Sequence, residues 1–188
     1  MTTGSVSPRR ADTRRNNERI IAVAKDLLTA SGEVSYNAIA KKAEVGVGTV
    51  YRHFPTPESL IMAVYQREVR NLVEVVPTLL KDNPPEQAFR LWIGHLAGYL
   101  MTKRGLASAM QAATTSPAAF AAKSYEAILD ALSTLLQANT EAGTVRSGLD
   151  PTTVMHALGG MMFLDPEGDW EGDTQRLFDL LWLGLRAC

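Results

Sequence analysis

Four residues in the stretch Val45–Phe54, VGVGTVYRHF, carry side chains able to read a polar surface: Thr49, Tyr51, Arg52 and His53. Two glycines, Gly46 and Gly48, stand beside them, although each glycine inside a helix costs about 0.8–1 kcal/mol relative to alanine. A helical wheel over residues 47–54 predicts that Val47, Val50, Tyr51 and Phe54 turn inward, and that Gly48, Thr49, Arg52 and His53 turn outward. An outward face of that composition suits the major groove of a duplex, with arginine reading guanine and threonine a methyl or a phosphate. On this reading Gly48, lacking a Cβ, lets the backbone come close to the nucleic acid, and Gly46 serves the turn before the helix.

Chemistry of other kinds finds less support. His53, His95 and His156 fall on separate predicted helices without H-E-x-x-H spacing, and the one cysteine, Cys188, is the last residue. There is no glycine-rich phosphate loop. The acidic run 165–173, DPEGDWEGD, lacks the alternating ligand order of a calcium loop and is expected to be solvated, with Trp170 as its anchor. No enzyme activity, metal or cofactor is expected.

The elements that must position the polar face are helical. Residues 35–54 spell a helix, a tight turn and a second helix, the grammar of a helix-turn-helix, with Ser35 as N-cap and Ile39, Ala40 and Ala43 as the apolar face. A preceding helix carries Ile20, Ile21, Ala24, Leu27 and Leu28. Downstream, Thr56-Pro57-Glu58 reads as cap, first helical residue and first-turn carboxylate of a long helix that ends or kinks near Pro77. Further helices are expected over about 85–103, 106–113 and 117–142, from Pro151, and over about 174–186. The fold class is therefore all-α, with about nine helices: an N-terminal three-helix helix-turn-helix domain and a C-terminal helical domain. The expected boundaries are a flexible basic arm over 1–11, the helix-turn-helix domain over 12–56, and the second helical domain over 57–188.

Charge agrees with this division. Residues 1–70 hold 11 Lys and Arg against 7 Asp and Glu, while residues 71–188 hold 8 against 13, so a basic front precedes an acidic rear. The N-terminal run has no apolar segment of a secretory signal, and no stretch reaches the length of a membrane span, so a cytoplasmic protein without membrane contact is expected.

The run SYNAIAKKAEVGVGTVYRHFPTPESL, Ser35 to Leu60, closely resembles the DNA-binding domain of TetR-family transcriptional regulators. The family pattern there is roughly T-x-x-x-IA-x-x-A-G-V-S-x-G-T-x-Y-x-(H/Y)-F-x-x-K-E-x-L. It is matched at Ile39, Ala40, Ala43, Val45, Gly48, Thr49, Tyr51, His53, Phe54, Glu58 and Leu60. Carried over by position, the resemblance implies phosphate contacts at Ser35, Tyr36 and Thr56 and a base-reading slot at Asn37. It also implies a reading face of Gly48, Thr49, Arg52 and His53, with a phosphate bond from the Tyr51 hydroxyl while its ring packs inward. Three departures matter for DNA binding: Gly46 for a serine cap, Val47 for a frequently polar or basic residue, and Pro57 for a phosphate-binding lysine, a loss the free N–H of Glu58 would partly offset. Arg9, Arg10, Arg14 and Arg15 either add contacts from the arm or belong to a solvated tail.

The resemblance further implies that 12–56 is the DNA-binding domain and that the C-terminal helical domain, 57–188, is the ligand-binding (effector-binding) and dimerisation domain, with a double-stranded DNA operator, a small-molecule effector of unknown identity and a homodimer. Phe89, Trp92, His95, Leu96, Tyr99, Met110, Phe120 and Tyr125 mix aromatic, soft and polar character and form the candidate effector pocket, or else an ordinary core. Met155, Gly159, Met162, Leu177, Leu181, Trp182 and Leu185 form the candidate dimer interface. The leading expectation is a ligand-released repressor on a palindromic operator. The alternative is a helical ligand-binding protein whose DNA motif has weakened.

Overall fold

The computed structural model describes residues 8–31, 34–107 and 117–187, with the side chains of 8–11, 31 and 117–121 outside the description. The described residues form nine α-helices: α1 Pro8–Ser31, α2 Tyr36–Lys42, α3 Val47–His53, α4 Pro57–Glu74, α5 Val76–Asp82, α6 Pro85–Gly105, α7 Pro117–Glu141, α8 Pro151–Leu158 and α9 Trp170–Leu185. A 3₁₀ turn, Gly159–Phe163, follows α8 directly. The expected helix over 106–113 lies largely outside the described residues. Residues 8–11, expected in the arm, are helical.

Contacts divide the chain into two compact units: Met1–Arg67 with Gly105–Thr115, and Glu68–Arg104 with Ser116–Cys188. The boundary thus falls inside α4 rather than before it, because Leu60, Ile61 and Val64 of that helix are buried with the first unit. Around them the core of this unit gathers Ile20, Ala24 and Leu28 of α1, Ile39 and Ala40 of α2, and Val50 of α3.

In the second unit α6 buries Phe89, Trp92, Ile93, Leu96 and Tyr99. The Trp92 indole N–H donates to the Leu72 carbonyl at 2.9 Å, so the largest side chain of this core leaves no unpaired donor. Asn139, fully buried on α7, donates to the Pro85 and Leu135 carbonyls at 2.9 and 2.8 Å, while its own side-chain oxygen accepts from Thr144 at 2.8 Å. That set fixes the start of α6 against the end of α7.

Local rules explain most helix ends. Ser35 caps α2 by accepting from Ala38 N–H, and Asp150 caps α8 by accepting from the N–H groups of Thr152 and Thr153. The chain near Pro77 breaks at Val75: α4 stops at Glu74 and proline occupies the first turn of α5, where its missing N–H costs nothing. The last helix begins at Trp170, four residues before its expected start. Asp169 accepts from Gly172 N–H at 3.0 Å, so half of the expected acidic loop is the capped first turn of α9. Arg176, one turn further on, pairs with Asp173 at 2.5 Å and Asp169 at 3.4 Å, which raises the arginine pKa, chiefly through the Asp173 bond.

Candidate nucleic-acid interface

The turn between α2 and α3 sets the direction of the reading helix. Val45 N–H returns to the Ala40 carbonyl at 3.0 Å and Glu44 N–H to Lys41 at 3.4 Å, the paired bonds of a Schellman ending. The residue that takes the left-handed conformation this motif needs is Glu44, at φ 53°. It sits where the family pattern has glycine, a departure that composition of the stretch does not advertise. Arg19 of α1 braces the corner: its guanidinium donates to the Ala43 carbonyl and meets the Glu44 carboxylate at 3.0 Å.

Gly46, by contrast, has ordinary extended dihedrals (φ −67°, ψ 141°). It starts α3 as N-cap through its carbonyl, which accepts from Thr49 N–H at 2.8 Å and Val50 N–H at 3.3 Å. Gly46 thus serves the turn as a cap, and the left-handed residue of the turn lies two positions earlier, at Glu44.

Among the described residues, Val50 is the fully buried residue of α3, and Phe54, just past its end, is 5% exposed. The wheel put Val47 and Tyr51 on the inward arc as well, yet they are 41% and 55% exposed. A helix of seven residues crossing its neighbours touches them along a narrow line, so the arc predicted from periodicity is wider than the arc covered. Tyr51 leans on Tyr36 with ring centroids 4.6 Å apart, leaving most of its surface in solvent. Gly48 and Arg52 are exposed, and Thr49 and His53 half-buried. The Arg52 Nε–H donates to the Gly48 carbonyl at 3.2 Å, which lays the guanidinium along the outer face. A Cβ built on Gly48 would meet nothing within 4 Å.

Of the flanking residues, Ser35, expected on a phosphate, and Asn37, expected to read a base, are exposed, but the side chain of Tyr36, expected on a phosphate, is buried. Its hydroxyl donates to the Phe54 carbonyl at 2.7 Å, so it ties the start of α2 to the end of α3 and is not free to reach a phosphate. Burial, with smaller contributions from Tyr51 and Glu58, holds that hydroxyl's pKa above the usual tyrosine value. Thr56 caps α4 as expected: its hydroxyl accepts from Ser59 N–H at 3.2 Å, and its own N–H donates to Ser59 Oγ at 3.3 Å. The Glu58 carboxyl is held below its ordinary pKa, chiefly by its own backbone N–H and then by the Thr56 side chain. The α4 start therefore carries its own anion. On α1, Arg15 pairs with Asp12 at 2.6 Å and Arg14 with Glu18 at 3.7 Å, both exposed.

The candidate effector residues scatter. Phe89 and Trp92 are fully buried, and Phe89 packs edge-on to Phe178 at 5.2 Å and Trp182 at 6.0 Å. These rings fill space that a pocket would need. Leu96 and Tyr99 are buried beside them on α6, while His95 points to solvent and Tyr125 is 39% exposed. Met110 and the Phe120 side chain lie outside the described residues. An open groove of about 370 Å³ elsewhere in the second unit, lined by Ser133, Leu136, Gln137, Thr140 and Leu149, uses none of them.

The candidate dimer residues also separate. Trp182 and Leu185 belong to the second unit's own core, on the side of α9 that carries Phe178 and Thr174. Met155, Gly159, Leu177 and Leu181 are half-buried and Met162 is 39% exposed. The sequence reading missed the most exposed apolar residues nearby: Phe163 at 90%, Leu180 at 68% and Leu183 at 69%.

Comparison with known proteins agrees with this geometry. A family model described as bacterial regulatory proteins, tetR family, matches residues 20–64, and one described as the C-terminal domain of SbtR-like transcriptional regulators matches residues 84–187. The fold is similar to the crystal structure of a TetR transcriptional regulator from Streptomyces coelicolor, at 35% identity and TM-score 0.82, covering 91% of this chain and 98% of that one. It is also similar to a TetR regulatory protein from Mycobacterium vanbaalenii, at 32% identity and TM-score 0.80, covering 96% and 100%. Among curated relatives, an HTH-type transcriptional regulator of Staphylococcus aureus strain USA300 is 39% identical over 62 residues, 32% of this chain; the match spans 34% of that relative's length. With a helix-turn-helix at the front and a matching helical domain behind it, the chain belongs to the TetR family of DNA-binding transcriptional regulators.

Proposed function

We propose that the protein is a repressor that binds a palindromic operator as a homodimer and leaves it when the second unit takes up a small effector. The observation that carries the DNA side is the mounting of α3, anchored by the buried Val50 and Phe54, with Gly48, Tyr51 and Arg52 exposed and Thr49 and His53 half-buried beside them. Arg52 is the candidate reader of a guanine edge, through two parallel hydrogen bonds. The exposed Ser35, Lys41 and Lys42, on or beside α2, are the candidates for phosphate contacts, and the exposed Asn37 for a base.

For the dimer, the exposed Leu180, Leu183, Met162 and Phe163, with the half-buried Leu177 and Leu181, make an apolar surface suited to self-association about a two-fold axis. The effector would bind within the second unit and favour a conformer whose two reading helices no longer fit successive major grooves.

Fluorescence anisotropy with a labelled duplex from the region upstream of the protein's own gene tests the reading. Specific binding should exceed binding to random duplex by about 10³-fold or more and fall steeply with salt. Equal affinity for both duplexes at every salt concentration would exclude the repressor assignment. Release of the complex by members of a small-molecule library then tests the effector half.

A further inference from the structure

Val47 is the first residue of α3 and an aliphatic side chain that the fold leaves 41% exposed, next to the exposed Gly48. Its neighbours on both sides, Gly46 and Gly48, are exposed and carry no side chains, so nothing beside it in the chain shields it or competes for the space it faces. The core does not need it: Val50 and Phe54 supply the anchoring of this helix. One turn on, Tyr51 continues the same row, 55% exposed.

In helix-turn-helix docking the N-terminal residues of the reading helix are the ones that meet base edges. A valine placed there offers no hydrogen bond. Donor and acceptor groups of a base desolvated against it would lose their water without replacement, a penalty for G·C pairs and for the adenine edge. The major groove presents one apolar feature, the C5-methyl of thymine. We infer that Val47 is a specificity-determining residue that packs on a thymine methyl in each operator half-site, so that this position selects thymine by shape and apolar contact. The inference rests on the DNA-binding reading and assigns a base to a residue that the helical wheel had turned inward.

The test uses the full-length protein and the duplex it selects from fragmented genomic DNA. Each thymine of one half-site, and its symmetry mate, is replaced in turn by deoxyuridine, which removes only the methyl group. For the unaltered protein, one such replacement should weaken binding by about fourfold per half-site, the size of one buried methyl. With Val47→Ala, the same replacement should have little effect, while replacements elsewhere keep theirs. Val47 is exposed, so the variant retains its fold, and an unchanged thermal midpoint verifies this. If no thymine shows an effect that depends on Val47 while specific binding persists, the inference fails and the repressor reading stands. If no duplex is selected over random DNA, the repressor reading itself fails.

Discussion

A Cβ added to Gly48 would meet nothing within 4 Å beyond its own turn of helix, and the residue has a negative φ inside α3, so the fold alone gives no reason for glycine there. Gly48→Ala should therefore stabilise the protein by about 0.8–1 kcal/mol, the helix-propensity difference. If the backbone approaches DNA at this point, the same methyl group should weaken operator binding by about tenfold, a typical overpacking cost. Thermal melts and anisotropy on one preparation separate the two effects; a stabilised variant with unchanged affinity would show that close approach occurs elsewhere. Glu44 presents the opposite case. It holds a left-handed conformation, at a cost of about 1–2 kcal/mol, and gains only an exposed ion pair with Arg19, worth about 0–1 kcal/mol. Glu44→Gly should raise stability by about 0.5–1 kcal/mol after the added chain entropy of glycine, read as a higher urea midpoint at unchanged slope. A lower midpoint would mean that the Arg19 contact outweighs the backbone strain.

At the scale of the element, what was legible in the sequence is what depends on near neighbours. Ser35, Thr56-Pro57 and Asp150-Pro151 mark helix starts because a cap needs only the two or three residues that follow it. The start of α9 was hidden because Asp169 is one carboxylate among five in its run, and only the folded turn shows which one faces the Gly172 N–H. Tyr36 and Tyr51 were hidden differently. Their roles are decided by the crossing of α2 and α3, which buries one ring and its hydroxyl while leaving the other exposed, and no periodicity within either helix encodes that crossing. The cap of α8 has a pH signature. The Asp150 carboxylate accepts from the Thr153 hydroxyl at 2.8 Å and the Thr153 N–H at 2.9 Å, and these bonds lower its pKa below the ordinary 3.8. A lowered folded-state pKa means the unfolded chain binds the proton more readily. The stabilisation is therefore complete above the ordinary value and lost as pH falls through the folded one. Asp150→Ala should melt below the unaltered protein by a constant margin from about pH 7 down to about pH 5, and the margin should shrink below about pH 4. A margin independent of pH down to strong acid would assign the effect to lost packing instead of the charged cap.

At the scale of the whole molecule, the proposed repressor needs two reading helices at fixed separation to recognise a two-fold operator, so on that proposal self-association through α9 and DNA binding through α3 would be thermodynamically linked. Leu183 tests that link with little risk to the fold, because it is 69% exposed and sits opposite Phe178 and Trp182, which hold α9 in its own core. In Leu183→Glu, a symmetric interface would bring two carboxylates into an apolar contact, and each would lose hydration without gaining a partner. The variant should sediment as a monomer at micromolar concentration with an unchanged helical circular dichroism spectrum. Its affinity for the full palindrome should fall by about 10²–10⁴-fold, the loss of effective concentration between two half-sites. Its affinity for a single half-site should stay as it was, since Arg52, Thr49 and His53 are untouched. A variant that remains dimeric would move the interface away from α9, whereas a monomer that still holds the palindrome at full strength would remove the two-fold operator from the mechanism.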